Sequence, residues 1–192
     1  MFVELLDLAN MRSIITDMLK YHGRSLNVKQ MNLIIERSQL ESSALYLSLA
    51  ISVVTKWNSY MDYTDEILSS GVNQLIKQIF FVAEKCFGRV VIRAALGFIT
   101  VSIAGLSDTE VLDLLSLHTD AMVEVNQYAI VNKYELVERI PSHVWLRIRH
   151  SFAGFLVERE EGRLFWYHRQ LHETAMEVYG TVNLNEGGGA TI

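Results

Sequence analysis

The chain has 192 residues, half of them hydrophobic, and a net charge of −5. The apolar fraction excludes a largely disordered chain. The acidic balance, with no basic stretch longer than Arg147, Arg149 and His150, argues against a nucleic-acid partner, because phosphate tracking needs a positive face.

No uncharged stretch is longer than the 14 residues of 94–107. A membrane span takes about 20, so a buried helix is expected there and no membrane partner. The start of the chain carries Glu4 and no basic run, unlike a signal peptide. The single cysteine, Cys86, cannot close an internal disulfide and follows the apolar run Ile79-Phe80-Phe81-Val82-Ala83, so a buried side chain in a cytoplasmic protein is expected.

Apolar residues at 3-4 spacing predict a helix over 7–21, ended by His22-Gly23, and a second over 27–38 with Asn27 as N-cap. A third, about 42–56, is apolar on several sides and reads as the centre of a first bundle. Residues 57–71 are polar and turn-rich, with a short helical turn expected at 65–68, and read as a seam. Helices over 72–87 and 89–104 follow, stopped by Gly88 and Gly105. Ser107-Asp108-Thr109-Glu110 is a capping box: the serine oxygen can accept from the Glu110 N–H while the glutamate reaches back to the serine N–H. The capped helix leads to another over 119–129, an extended loop over 130–140, and a helix opened by Pro141. Phe155-Leu156-Val157-Glu158-Arg159 and Arg163-Leu164-Phe165-Trp166-Tyr167, joined by Glu160-Glu161-Gly162, predict a β-hairpin. A last helix over 168–179 precedes a glycine-rich tail read as disordered.

The expected fold is mainly α: a helical subdomain (1–70), a connecting helix (71–88), a winged-helix-like subdomain with one C-terminal β-hairpin (89–180), and a disordered tail (181–192).

The sequence holds no G-x-x-x-x-G-K-[ST] phosphate loop, no apolar strand ending in paired acids and no G-x-S-x-G elbow. Catalysis by this chain is therefore not expected. His168 and His172, four residues apart, share a helix face, but His168 is followed by Arg169 and not by the glutamate of a zincin; no metal is expected. His143 and His150 suit surface or capping positions, and His22 and His118 stand at turn signals. His168, opening a helix after an aromatic strand, is read either as a helix cap without a ligand or as a ring presented to a ligand.

Three stretches together resemble a known family. The first is Tyr21-His22-Gly23-Arg24-Ser25-Leu26 through Ala44-Leu45-Tyr46-Leu47. The second is Gly105-Leu106-Ser107-Asp108-Thr109-Glu110 with Leu112-Asp113-Leu114-Leu115. The third and most specific runs from Arg139-Ile140-Pro141 and Trp145 through Phe155-Leu156-Val157-Glu158-Arg159-Glu160 to Trp166-Tyr167-His168-Arg169-Gln170. Over about 5–180 the chain resembles the part of a NACHT module that follows its P-loop core. The resemblance is to STAND-class signalling ATPases of the subset bearing C-terminal WD40 or TPR repeats, such as NACHT/WD-repeat, telomerase-associated and nephrocystin-type proteins.

The resemblance implies a non-catalytic regulatory arm that closes over ADP or ATP, held with Mg²⁺ by a P-loop core outside this sequence. It implies that core, the repeats and further copies of the protein as partners. It places His168 as the sensor of the β-phosphate, since an imidazole N–H can donate to a phosphate oxygen and a positive ring gains more. Where the family has a proline against the adenine, this sequence has Ala44, leaving only a methyl for that contact. The alternative function is a nucleotide-independent protein-interaction scaffold.

Overall fold

The computed structural model describes residues 8–41, 43–57, 68–131 and 135–180. In chain order the elements are α1 (Leu8–Tyr21), α2 (Val28–Glu41), α3 (Ala44–Val54), α4 (Val72–Phe87), α5 (Arg89–Val101), α6 (Asp108–Leu117), α7 (Thr119–Val131), α8 (Ser142–Ser151), β1 (Leu156–Glu158), a 3-10 turn (Glu160–Gly162), β2 (Leu164–Trp166) and α9 (Arg169–Tyr179). The protein is mainly α, with one hairpin among the described residues. Among the described residues no helix is long and apolar enough to cross a membrane. The chain divides into two compact units, Met1–Ile79 and Phe80–Ile192, with the division inside α4.

In the first unit, α1 turns Met11, Ile15 and Leu19 inward, one side chain per turn. Asn27 caps α2 reciprocally: its Oδ1 accepts from the Gln30 N–H, and Gln30 Oε1 accepts from the Asn27 N–H, both at 2.9 Å. The α3 helix buries Tyr46, Leu47, Leu49, Ala50, Ile51 and Val54, as expected of a central helix. Fully buried Tyr46 donates its hydroxyl to the Ser69 carbonyl at 2.8 Å, and the Ser69 N–H donates to Gln78 Oε1 at 3.1 Å.

The second unit is built round α5, whose buried residues include Val91, Ile92, Leu96 and Ile99; α6, α7, α9 and β2 all pack on it. The start of α5 is capped from a distance: Glu124 on α7 accepts the Val91 N–H at 2.9 Å. Gly88, at φ +103°, makes room for that carboxylate, because a Cβ there would lie 2.5 Å from Glu124 Oε2. The capping box of α6 forms with both halves present, Ser107 N–H to Glu110 at 2.7 Å and Glu110 N–H to Ser107 Oγ at 3.3 Å. The Ser107 backbone hydrogen bond, then the serine hydroxyl, holds the Glu110 carboxyl below its ordinary range. Asp108, first residue of α6, accepts from the Trp145 indole at 2.7 Å and from Arg149, both on α8. Arg149 also reaches Glu158 of β1, so one guanidinium joins α6, α8 and the hairpin.

In the hairpin, Leu156 pairs with Trp166, Val157 with Phe165 and Glu158 with Leu164. Leu106, between α5 and α6, adds a bridge to Leu164. Behind the hairpin the Phe80 ring lies 5.2 Å from Tyr179, 5.7 Å from Trp166 and 6.2 Å from Phe152, centroid to centroid. Such tilted aromatic contacts add to the burial of large apolar surfaces.

Several boundaries differ from the sequence reading. The α5 helix stops at Val101 and not near 104, because the chain must extend by Leu106 to pair with Leu164. Pro141 sits at the N-cap of α8, one position before its first helical residue. Cys86, expected to be buried, is exposed. The run that suggested burial is itself split, with Ile79, Phe80 and Ala83 buried and Phe81 and Val82 exposed. On the last turn of α4 it is Phe87 that is half-buried, beneath the Arg147 guanidinium. The expected turn at 65–68, save Leu68, and the tail lie outside the described residues.

Two predictions follow from these contacts. Burial, then the Glu41 charge, pushes the Tyr46 phenol up to about 12 from 10.0. Above pH 10 the unfolded chain therefore sheds a proton that the folded chain keeps, so stability falls as pH rises between these values. The expected loss is up to ~1.4 kcal/mol per pH unit from this group. Urea unfolding across alkaline pH should show a shallower decline for Tyr46→Phe; equal slopes refute the assignment. At the α6–α8 junction, Asp108→Ala should cost about 1–3 kcal/mol by stranding the Trp145 N–H and Arg149. Asp108→Asn, which keeps an acceptor, should cost less than half as much in the same unfolding measurement.

Candidate functional site

The residues around His168 are fixed by the hairpin on one side and by α9 on the other. Tyr167 continues β2 by donating its N–H to the Phe155 carbonyl at 2.8 Å. His168 is still extended (φ −130°, ψ 145°) and is the N-cap of α9. Its carbonyl accepts from the N–H groups of Leu171 and His172, and its side-chain Nδ1 accepts from the Gln170 N–H at 3.2 Å. A histidine can serve as an N-cap because an unprotonated ring nitrogen is an acceptor, like the oxygens of serine or aspartate.

This cap decides the chemistry of the ring. If Nδ1 accepts, the proton of the neutral imidazole sits on Nε2. No described residue hydrogen-bonds to that nitrogen, and the side chain is half-buried. The ring therefore offers one N–H donor to an acceptor outside. A doubly protonated ring would donate more strongly to an anion but would lose the cap, so the gain expected of a positive ring carries a structural cost. The capping reading and the ligand reading of His168 are compatible, since each uses a different nitrogen.

Two neighbours of His168 are tied to the same residue of α5. The Trp166 indole donates to Thr100 Oγ1 at 3.0 Å, and His172 Nε2 lies 3.1 Å from the Thr100 carbonyl. Sequence reasoning missed Thr100. The available signal was a hydroxyl inside a largely apolar helix, together with a tryptophan whose N–H needs a partner if buried.

Ala44 is the exposed first residue of α3, where Ser43 caps the helix by accepting the Tyr46 N–H at 3.4 Å. Ala44 and His168 stand in different compact units. His118 caps α7, its Nδ1 accepting the Ala121 N–H at 3.2 Å; His22, His143 and His150 are exposed. Among the described residues no group of three or more histidine, cysteine or acidic side chains is arranged to hold a metal. A shallow cleft at the wing is lined by Ala104, Arg159, Glu160, Glu161, Arg163 and Phe165, and does not include His168.

Comparison with known proteins agrees with this architecture. The model of the family described as "NWD1-like, winged helix-turn-helix domain" matches residues 60–161. The chain is 30% identical over 138 residues to the human NACHT and WD repeat domain-containing protein 2, covering 70% of this chain. It is 29% identical over 136 residues to the human NACHT domain- and WD repeat-containing protein 1, covering 69% of this chain. The matched region spans only about 8% of the length of either relative. No solved structure gives a significant match. With more than half of its length matched by the family model, the chain belongs to the NWD1-like winged helix-turn-helix domain family.

Proposed function

We propose that this region is the non-catalytic regulatory arm of a NACHT-type signalling NTPase in the cytoplasm. In this reading it closes over ADP or ATP, held with Mg²⁺ by a P-loop core in another part of the protein. It relays the state of the nucleotide to WD40 or TPR repeats, or to assembly with further copies. The names of the relatives, which pair NACHT with WD repeats, support this setting.

The observation that carries the reading is the free Nε2–H of His168, held by the cap on Nδ1. A donor fixed at the first turn of a helix suits a phosphate oxygen, because the helix terminus adds partial positive charge in the same place. The latch would hold the closed state while ADP is bound, and a nucleotide that no longer offers the β-phosphate oxygen to the ring would release the arm. Such a release is a shift of population between two states that differ in one charge-assisted contact. Ala44 would supply at most a methyl contact to the adenine.

The cap and the latch can be separated by substitution. His168→Ala removes both and should cost about 1 kcal/mol of stability. It should also lower ADP retention roughly 10- to 100-fold, the worth of one hydrogen bond to a charged group. His168→Asn restores a good N-cap but not the reach of the imidazole, so stability should recover while ADP retention stays low. The measurement is bound nucleotide and oligomeric state of the full-length protein containing this region, after purification. Nucleotide content and assembly unchanged in both variants would sink the latch and favour a nucleotide-independent interaction scaffold.

A further inference from the structure

The segment that presents His168 is held at both ends by one buried residue, through its hydroxyl on one side and its backbone carbonyl on the other. Thr100 is 2% exposed and Trp166 7% exposed where the indole N–H meets the Thr100 hydroxyl. The hydroxyl proton is already committed to the Leu96 carbonyl at 2.6 Å, so Oγ1 is left as an acceptor for the indole. On the far side of His168, His172 approaches the Thr100 carbonyl at 3.1 Å. That oxygen can only accept, so His172 must donate from Nε2. The carbonyl lies in the last turn of α5, where no helical N–H follows to take it.

We propose that Thr100 is the positioning residue of His168, an inference that rests on reading His168 as a phosphate donor. The cap on Nδ1 needs the extended His168 backbone at the junction of β2 and α9, so it survives only while both elements are held to the body of the winged helix. Thr100 holds them through two separate atoms, its hydroxyl toward β2 and its carbonyl toward α9. The junction cannot swing outward on one side without breaking a bond on the other. A donor that must meet a phosphate oxygen within a fraction of an ångström needs this second layer of support. Thr100 itself touches no ligand.

The test uses the 192-residue chain without nucleotide, labelled with ¹⁵N at histidine and at the backbone. Ring ¹H–¹⁵N spectra report which nitrogen of His168 carries the proton, and amide exchange of Gln170 reports the cap. In the wild type a single Nε2–H form is expected. Thr100→Val, equal in shape but without the hydroxyl, should give a mixture of ring tautomers and speed Gln170 exchange at least ~10-fold. The Glu110 amide in the α6 capping box should stay protected. Thr100→Ser, which restores the hydroxyl, should return both signals to wild type. Wild-type ring and Gln170 signals in Thr100→Val would overturn the proposal. Should that variant fail to fold, seen as loss of Glu110 protection, His172→Leu at an exposed position cuts the other anchor. Faster Gln170 exchange there supports the role, and unchanged exchange overturns it. Because nucleotide is absent, failure of the latch appears separately, as nucleotide content indifferent to His168→Ala.

Discussion

The hydrogen bond from the Trp166 indole to the Thr100 hydroxyl sets where strand β2 crosses helix α5. A buried indole N–H without an acceptor costs about 1–3 kcal/mol. Thr100 is the sole polar side chain on the buried face of α5. The register of β2 on the helix is thus chosen by one polar pair in an otherwise apolar contact. The rest of the hairpin follows by pairing: Leu156 opposite Trp166, Glu158 opposite Leu164, and Leu106 bridged to Leu164. Glu158 then lies where Arg149 can join it to Asp108 of α6.

Four helix starts of the winged-helix unit are closed with three different chemistries. Helix α5 borrows a carboxylate from α7, α6 uses a serine–glutamate box, and α7 and α9 use histidine. Each device satisfies an N–H that the helix itself cannot. The local caps were open to sequence reading in proportion to their closeness in the chain. Ser107 and Glu110 stand three positions apart and were legible as a motif, whereas Glu124 lies 33 positions from Val91 and gave no signal. The histidine caps fall between. Their positions at helix starts were visible, but which ring nitrogen accepts, and hence which one is left over, depends on side-chain geometry.

The same distinction separates the legible parts of the fold from the rest. Helix periodicity and the hairpin's aromatic and β-branched residues are properties of neighbouring residues, and they located the elements and the segment bearing His168. The end of α5 was misplaced because it is decided by Leu164, 58 residues beyond Leu106. Cys86 was misjudged because an apolar run does not say which of its residues faces inward, and on α4 that choice follows Phe80 and Phe87 into the aromatic cluster and under Arg147. Thr100 escaped notice because its partners lie 66 and 72 positions away.

These long-range ties bear on what His168 can do at little cost. A surface histidine that meets a ligand must first give up the freedom of its side chain, and that ordering subtracts from binding. At His168 the cap has already selected one rotamer and one tautomer on folding. The free energy of the Nε2–H contact with an acceptor is then available nearly whole. The arrangement also limits the site: the ring can keep its cap and serve an external acceptor only in the neutral form. In the proposed reading, such a latch would discriminate by the position of the acceptor oxygen more than by total charge, as a sensor of which phosphate is present would require.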